Sequence, residues 1–309
     1  MMHHATQHDR FKGSFHFLQN LPEYQTEKPY EIWRESPEHI PKSNCKFEER
    51  HGIILRNIRE CDPRDFDYAT TGFKPLYSPC IEPLSSEDCT SLEPTGRLLR
   101  YLENTIELVK SQLKAKEVIC FDWRYRMSSG VKQINVYDYT KQERYNSLNP
   151  AHVVHFVFLI IGCTDDSPDG GMGRLQRYLK PEELASFKND EIRIRFVNVW
   201  RPLVAVVEDS PLAMCDRQSV SVSDMFECDK IHEDHIGEGL YLIHNEEQRW
   251  YWLPDMTSDE ALVFVTWDSQ FDEKHPVGPP HAACDDPKPR TSPSPRESIE
   301  VRLMVFTEK

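Results

Sequence analysis

Two histidines and an Arg-x-Ser pair are the residues whose types and spacing point to chemistry. His155 stands alone in the apolar run VVHFVF, and His281 follows two prolines in GPPHAACDDP. Arg296 and Ser298 come later, in SPRESIEVRL. An imidazole can hold a metal ion, and a guanidinium can bind a carboxylate through two hydrogen bonds. Structural roles remain as alternatives: a core histidine, a residue of a rigid loop, and an arginine paired with one of the chain's many acids.

A second pattern offers an alternative metal pair, His232 and Asp234, in IHEDHIGE. The surrounding stretch ECDKIHEDH is polar throughout, which indicates a solvated loop and not a rigid strand. A metal site at this stretch would also leave few strands before His281 from which to build a barrel, and His155 would have no role. We therefore interpret this stretch as a surface charge cluster.

Asp165 and Asp166, in the loop CTDDSPDGG, are a third source of carboxylates. The loop could fold back toward His155, although nothing in the sequence requires it. These acids stay open as alternative ligands.

Composition excludes several classes of protein. Hydrophobic residues make up 39% and charged residues 28% of the 309 residues, which is typical of a globular protein with a substantial core. The net charge of -14 argues against nucleic-acid binding, because phosphate recognition needs concentrated Lys and Arg. No apolar run reaches the length of a membrane span, and the polar start of the chain lacks the apolar stretch of a secretory signal.

The nine cysteines are spread singly along the chain. No CxxC or CxxxC spacing occurs, so we do not expect a zinc site built from cysteines. The odd count and the lack of a signal predict reduced thiols in a cytoplasmic protein, most of them buried.

The clearest helix is predicted over 95–116. Apolar residues recur every three or four positions and form one stripe, while charged residues occupy the other faces. This narrow apolar face predicts a helix that lies against a sheet as a buttress. The stripe consists of Leu98, Leu102, Ile106, Val109 and Leu113.

Most other regular segments read as strands. Loops are predicted at 166–173 and 286–295, and a short helix in KPEELASF (180–187). Many strands after one long helix favour a mainly β fold with flanking helices, either a sandwich or a barrel. The predicted strands are 117–127, 131–139, 152–162, 192–203, 239–244, 248–254, 261–268 and 298–306, with short ones in KPYEIW, HGIILRNI and GFKPLYS.

Five longer blocks carry a family resemblance: NVWRPL, DSPLAMCD, WYWLPDMTSDEALVF, PPHAACDDP and RESIEVRLMVF. Together, and in this order, they resemble the fungal hydroxylase/desaturase family that includes a gibberellin desaturase. The likeness runs from about residue 14 to the C-terminus. It implies a double-stranded β-helix (jelly roll, cupin-like) and the non-haem iron(II)/2-oxoglutarate oxygenase superfamily. We expect one oxygenase-like domain over 1–309. In it an N-terminal segment rich in Pro, Cys and charge (1–93) wraps the outside, and the buttress helix (94–116) and a β-helix core (117–309) follow.

The resemblance assigns roles residue by residue. It implies that His155 and His281 are the two metal histidines, and that Arg296, with Ser298 beside it, binds the 2-oxoglutarate carboxylate. The family's metal-binding aspartate falls on Val157, which has no lone pair to offer. Some related halogenases have a small residue there so that chloride binds the iron, but valine would crowd a halide.

This departure gives the main functional hypothesis. The chain is predicted to be a non-catalytic subunit that binds no cofactor of its own and forms a heterodimer with a complete homologous oxygenase. That partner would hold iron(II) and 2-oxoglutarate and would hydroxylate or desaturate a terpenoid-type secondary metabolite, as the resemblance to subunits of fungal meroterpenoid biosynthesis implies. The alternative is an active oxygenase with an incomplete metal triad. A stand-alone binding module has no positive motif.

Overall fold

The computed structural model describes residues 11–36, 38–91, 93–128, 148–156, 171–187, 191–233, 236–270, 274–285, 288 and 290–309. These residues form two β-sheets and four α-helices. The helices are α1 (Ser86–Thr90), α2 (Gly96–Leu113), α3 (Gly171–Tyr178) and α4 (Pro181–Phe187). The strands are β1 (Phe11–Leu18), β2 (Tyr30–Ile32), β3 (Phe47–Asn57), β4 (Phe73–Tyr77), β5 (Glu117–Met127), β6 (His155–Phe156), β7 (Ile192–Pro202), β8 (Leu212–Cys215), β9 (Met225–Ile231), β10 (Ile236–Leu242), β11 (Trp250–Trp252), β12 (Glu260–Asp268), β13 (His281–Ala283) and β14 (Glu297–Glu308).

The larger sheet curls back on itself. Its nine described strands run in the order β1-β3-β11-β8-β13-β6-β10-β9-β2. His16 of β1 also bridges to Val153, just before β6, so the first strand returns to the middle of the sheet. The curl encloses an apolar cluster that removes one face of the sheet from water. Its core includes Phe15, Phe17, Leu55, Val154, Phe156, Trp250 and Trp252.

The smaller sheet has the order β4-β12-β7-β14-β5, and its strand pairs are antiparallel. Helix α2 packs against its outer face, as the apolar stripe predicts. Thr95 caps the helix by accepting a hydrogen bond from the amide of Leu98, and the left-handed conformation of Lys114 ends it. The prediction of a buttress helix is confirmed, with its ends drawn in by one to three residues. Buried at this contact are Leu98, Leu102, Val109, Val199, Val263, Ile299 and Val301.

The inner face of the smaller sheet meets different partners along its length. At one end Trp200, Leu262 and Phe264 pack against Leu212 and Met214 of the larger sheet. At the other end α3 and α4 cover it, with Leu175, Leu179 and Leu184 as the buried side chains. Helix α3 starts at a glycine because a Cβ at Gly171 would lie 2.0 Å from Cε2 of Trp267. Polar residues remain on the inner face between these apolar ends.

Most of the predicted strands are confirmed within the described residues. Two segments predicted as loops are wrong in part: α3 begins at Gly171 within 166–173, and β9 extends to Ile231 within the polar stretch ECDKIHEDH. The sequence reading also missed β1, β8 and β13, of which the last two have only four and three residues. The predicted strand 131–139 lies outside the described residues, as does 152–162 beyond residue 156.

Residues before 94 supply β1, β2 and β3 to the larger sheet and β4 to the smaller one. The division into a wrapping segment, a buttress helix and a core within one domain stays a prediction. In the described part of the chain, no helix combines the length and the apolar character needed to cross a membrane.

Candidate functional site between the two sheets

His155 and His281 lie directly opposite each other on neighbouring antiparallel strands. The register of β6 and β13 pairs the two residues, and their ring centroids are 4.9 Å apart with the planes at 53°. Val154 and Phe156, on either side of His155, point to the opposite face and belong to the enclosed apolar cluster. Strand alternation therefore turns His155 toward the smaller sheet, where the ring of Phe264 lies 4.8 Å from that of His281.

Backbone carbonyls fix the tautomer of both histidines. Nδ1 of His155 lies 2.8 Å from the carbonyl oxygen of Val153, and Nδ1 of His281 lies 3.1 Å from that of Pro279. A carbonyl oxygen only accepts, so each Nδ1 carries the proton and each Nε2 keeps its lone pair. Nε2 of His281 is buried and has no hydrogen-bond partner among the described residues. A ring held in this way is prepared to act as a metal ligand.

Both imidazoles are neutral at physiological pH. Burial, followed by the charge of His281, lowers the pKa of His155 to about 3. Burial likewise lowers the pKa of His281. Desolvation favours the uncharged ring in each case, and the uncharged ring is the form that binds a metal.

The Arg-x-Ser pair lies at the start of β14. Arg296 is 2% exposed, its guanidinium stacks 5.5 Å from the ring of Trp200, and its Nη1 donates to the carbonyl oxygen of Ser210. Ser298 is 1% exposed, and its Oγ has no hydrogen-bond partner among the described residues. Part of the guanidinium thus holds the loop at Ser210, whereas the hydroxyl of Ser298 is buried without a partner among the described residues.

Glu300, two residues further along β14, is a buried carboxylate that the sequence reading missed. Strand alternation places Ser298, Glu300 and Arg302 on the inner face, and Nε of Arg302 donates to Glu300 over 2.9 Å. Burial would raise the pKa of Glu300, but the charges of Arg302 and Arg126 and the hydrogen bond from Arg302 oppose it, and the pKa lies below its usual range. The side chain is therefore ionised beside the two histidines.

A sequence signal for Glu300 existed in the alternation of SIEVRLMVF, but alternation does not say which face is covered. Polar residues at every second position usually face solvent, whereas here both faces of β14 are buried. Across the described residues, no three His, Cys, Asp or Glu side chains converge to hold a metal ion. Among the described residues Glu300 thus forms an ion pair with Arg302 and does not complete a metal site with the histidines.

The remaining candidate residues add no described ligand to the histidine pair. Val157, Asp165, Asp166 and Asp234 lie outside the described residues. His232 follows the end of β9, and its ring packs edge-on against Trp33 with centroids 5.0 Å apart.

The strand register shows how far His232 lies from the pair. The position level with His155 is Tyr241 on β10, and Tyr241 is level with Phe226 on β9. His232 is therefore about 20 Å further along the strand direction, at roughly 3.3 Å per residue. It shares no site with His281.

Comparison with known proteins assigns the family. A family profile described as an oxidoreductase/YMDC permease-like domain matches residues 15–306. The chain belongs to this family. Its homologues include fungal hydroxylase/desaturases and iron(II)/2-oxoglutarate-dependent dioxygenases, which confirms the predicted relationship.

Among the curated relatives, the Fe(II)/2-oxoglutarate-dependent dioxygenase nvfI of Aspergillus novofumigatus is 28% identical over 251 residues, 78% of each chain. The hydroxylase/desaturase asaB of Aspergillus flavus is 36% identical over 129 residues, 38% of this chain and 56% of that protein. The aspirochlorine biosynthesis protein N of Aspergillus oryzae is 34% identical over 146 residues, 46% of this chain and 59% of that protein. The chain thus spans less than two thirds of the length of the last two relatives.

A solved structure of the iron and α-ketoglutarate-dependent endoperoxidase NvfI has the same fold. It matches with a TM-score of 0.75 over 96% of this chain and 98% of that chain, at 23% sequence identity. The prediction of a mainly β jelly roll with flanking helices is confirmed.

The residues of this chain fit an iron and 2-oxoglutarate site only in part. The two Nε2 atoms fit two protein ligands of a 2-His-1-carboxylate triad, and Ser298 and Arg296 fit a carboxylate-binding role. The resemblance assigns the third ligand to Val157, which has no donor atom and lies outside the described residues. The described residues therefore supply two of the three protein ligands of such a triad.

Proposed function

We propose that this chain is a non-catalytic, oxygenase-like subunit that pairs with an active iron(II)/2-oxoglutarate-dependent oxygenase. The pair would hydroxylate or desaturate a terpenoid-type secondary metabolite, with iron and 2-oxoglutarate held by the partner. One observation carries the proposal. His155 and His281 keep the geometry of metal ligands, yet the position two residues after His155 is a valine.

The chemistry of the donor set supports this view. In a facial triad the carboxylate supplies an anionic oxygen that offsets part of the charge of iron(II), and two neutral imidazoles do not replace it. The buried carboxylate of Glu300 accepts a hydrogen bond from Arg302. The described residues thus keep the fold without forming a complete metal site, which supports a subunit retained for binding.

A second candidate function is an active oxygenase with an incomplete triad. It is favoured by the buried polar atoms that face the interior, Nε2 of His281 and Oγ of Ser298, neither of which has a partner among the described residues. Burying such atoms costs free energy unless a ligand satisfies them. In this alternative water or a remote acid completes the coordination of iron.

Iron content separates the two functions. The chain is purified alone and also after co-expression with a complete relative from the same gene cluster, and iron and 2-oxoglutarate turnover are measured in each sample. We expect no stoichiometric iron in the isolated chain, and one iron per heterodimer with activity only in the pair. Stoichiometric iron with turnover in the isolated chain would establish the second function instead.

Restoring the carboxylate sharpens this test. We expect Val157→Asp to raise the iron(II) affinity of the isolated chain, because the new carboxylate completes the triad with His155 and His281. Val157→Leu is the matched control and should leave the affinity at the level of the unmodified chain. Equal iron binding by all three proteins, measured by equilibrium dialysis under anaerobic conditions, would show that position 157 is not a ligand position.

A cytoplasmic location is part of the proposal. The eight described cysteines are all free thiols, which supports a reducing compartment.

A further inference from the structure

Two cysteines meet at the edge of the larger sheet, where β9 lies two strands from β6 in the sheet order. Cys45 lies between β2 and β3, and Cys228 lies in β9. Their sulfur atoms are 3.6 Å apart, and Sγ of Cys45 also lies 3.5 Å from the carbonyl oxygen of Tyr30. A disulfide bond is about 2.05 Å long, so the sulfurs need to approach by about 1.5 Å.

The backbone on both sides of this contact is already fixed. Strands β2 and β9 are parallel neighbours, with Tyr30 level with Asp229. The side chain of Asn44 accepts from the amide of Tyr30 over 2.7 Å and donates to the carbonyl oxygen of Lys28 over 3.2 Å. Because these bonds hold Cys45 beside β9, rotation of the two cysteine side chains is the movement that brings the sulfurs together.

The two thiols have unequal environments. Cys228 is fully buried and Cys45 is partly exposed, so only Cys45 is within reach of a reagent in solution. The hydrogen bond with Cys228 lowers the pKa of Cys45, helped by the hydrogen bond with Ser43 and the charge of Lys230 and opposed by burial and the charge of Glu31. Burial raises the pKa of Cys228. Cys45 is therefore the thiol that reacts first, since the thiolate is the nucleophile.

Lys230 is held next to the thiols by a buried cluster. It forms an ion pair with Glu31 and donates to the hydroxyl of Tyr241 over 2.8 Å. Cys228 and Lys230 are two residues apart on β9 and share one face of the strand. The ammonium group thus remains beside the sulfur atoms in the folded protein.

We propose that Cys45 and Cys228 are a thiol–disulfide exchange site that takes a small-molecule disulfide such as glutathione disulfide. The Cys45 thiolate attacks one sulfur of the oxidant, which forms a mixed disulfide and releases one glutathione thiolate. Cys228 then attacks the sulfur of Cys45 and transfers its proton to the departing glutathione thiolate, which leaves as the second glutathione. Two protein thiols are oxidised and one glutathione disulfide is reduced to two thiols. The product ties the segment before β3 to β9.

The test uses the full chain incubated with glutathione disulfide, followed by maleimide alkylation and peptide mapping. We expect the loss of two alkylatable thiols per chain and a cross-linked peptide that joins positions 45 and 228, both reversed by a phosphine reductant. The Tm of the oxidised protein should rise, because the bond closes a long loop.

Three variants keep the test decisive. Cys45→Ser should abolish both the thiol loss and the Tm shift, and Cys228→Ala should accumulate a glutathione adduct on Cys45. Cys61→Ser is the matched control, since Cys61 is also partly exposed and its Sγ donates to the carbonyl oxygen of Asn57. The Cys61→Ser variant should behave as the unmodified chain. The proposal is overturned if no cross-linked peptide forms, or if Cys45→Ser loses two thiols like the unmodified chain.

Discussion

Two buried polar regions of the molecule differ in how their polar atoms are hydrogen-bonded. One is the interior between the sheets, and the other is the edge of the larger sheet formed by β2, β9 and β10. In the interior, Oγ of Ser298 and Nε2 of His281 have no hydrogen-bond partner among the described residues. At the edge, the ammonium of Lys230, the carboxylate of Glu31 and the hydroxyl of Tyr241 satisfy one another.

This difference separates a site suited to ligands from a structural cluster. A buried polar atom costs about 1–3 kcal/mol of stability when it has no partner, and the two interior atoms have none among the described residues. A fully paired cluster has no such cost and contributes to the folded state directly. The comparison predicts that substitutions at the edge lower stability, whereas substitutions in the interior leave it unchanged or raise it.

The largest effect is expected at the edge, for Lys230→Met. This change leaves the carboxylate of Glu31, whose side chain is 3% exposed, buried without its cation. Breaking a buried pair on one side lowers the free energy of unfolding by about 3–5 kcal/mol, measured by denaturant unfolding. The double variant Glu31→Leu/Lys230→Met should recover most of that loss, because no buried charge remains.

Arg50→Met serves as the control for an exposed pair. Arg50 and Glu48 have side chains 49% and 32% exposed, and such pairs contribute less than about 1 kcal/mol. If Lys230→Met cost no more than Arg50→Met, the edge cluster would not be a structural element.

The next largest effect is expected from acid, which should lower the free energy of unfolding through His155 in the interior. The folded-state pKa of His155 is lowered to about 3. The contribution of the neutral ring to the free energy of unfolding is therefore fully present above the unfolded-state pKa of about 6.5, and it is lost as the pH falls toward the folded-state pKa. By pH 5 the loss reaches about 2 kcal/mol. Unfolding measured between pH 7 and pH 5 should show a smaller decline in His155→Asn than in the unmodified chain.

His51 provides the matched control, since its side chain is 70% exposed. The variant His51→Asn should lose stability with falling pH as steeply as the unmodified chain does. An unchanged pH dependence in His155→Asn would mean that the ring is protonated without cost, and the interior would then be more hydrated than the structure indicates.

The two regions also show what the sequence could and could not predict. Helix α2 and most long strands follow from local periodicity, and the family resemblance named both histidines. The polar strand β9 was interpreted as a loop because the partner of Lys230 is Glu31, which lies 199 residues away in sequence. The burial of Glu300 was not predicted because His281 and Arg126 beside it come from other strands, although its hydrogen-bond donor Arg302 is only two residues away. Periodicity reports which side of a strand a residue occupies, but not what covers that side.

The smallest expected effect compares two buried serines. Ser298→Ala removes a hydroxyl with no partner among the described residues, so stability should change by less than about 0.5 kcal/mol or rise slightly. Ser219→Ala is the matched change: Oγ of Ser219 donates to the carbonyl oxygen of Asp216 over 2.6 Å and accepts from the amide of Arg249 over 2.9 Å. Losing these bonds should cost about 1–3 kcal/mol. If denaturant unfolding gave both variants the same loss in free energy of unfolding, the Ser298 hydroxyl would already be hydrogen-bonded in the free protein. The interior and the edge would then not differ in how their polar atoms are paired.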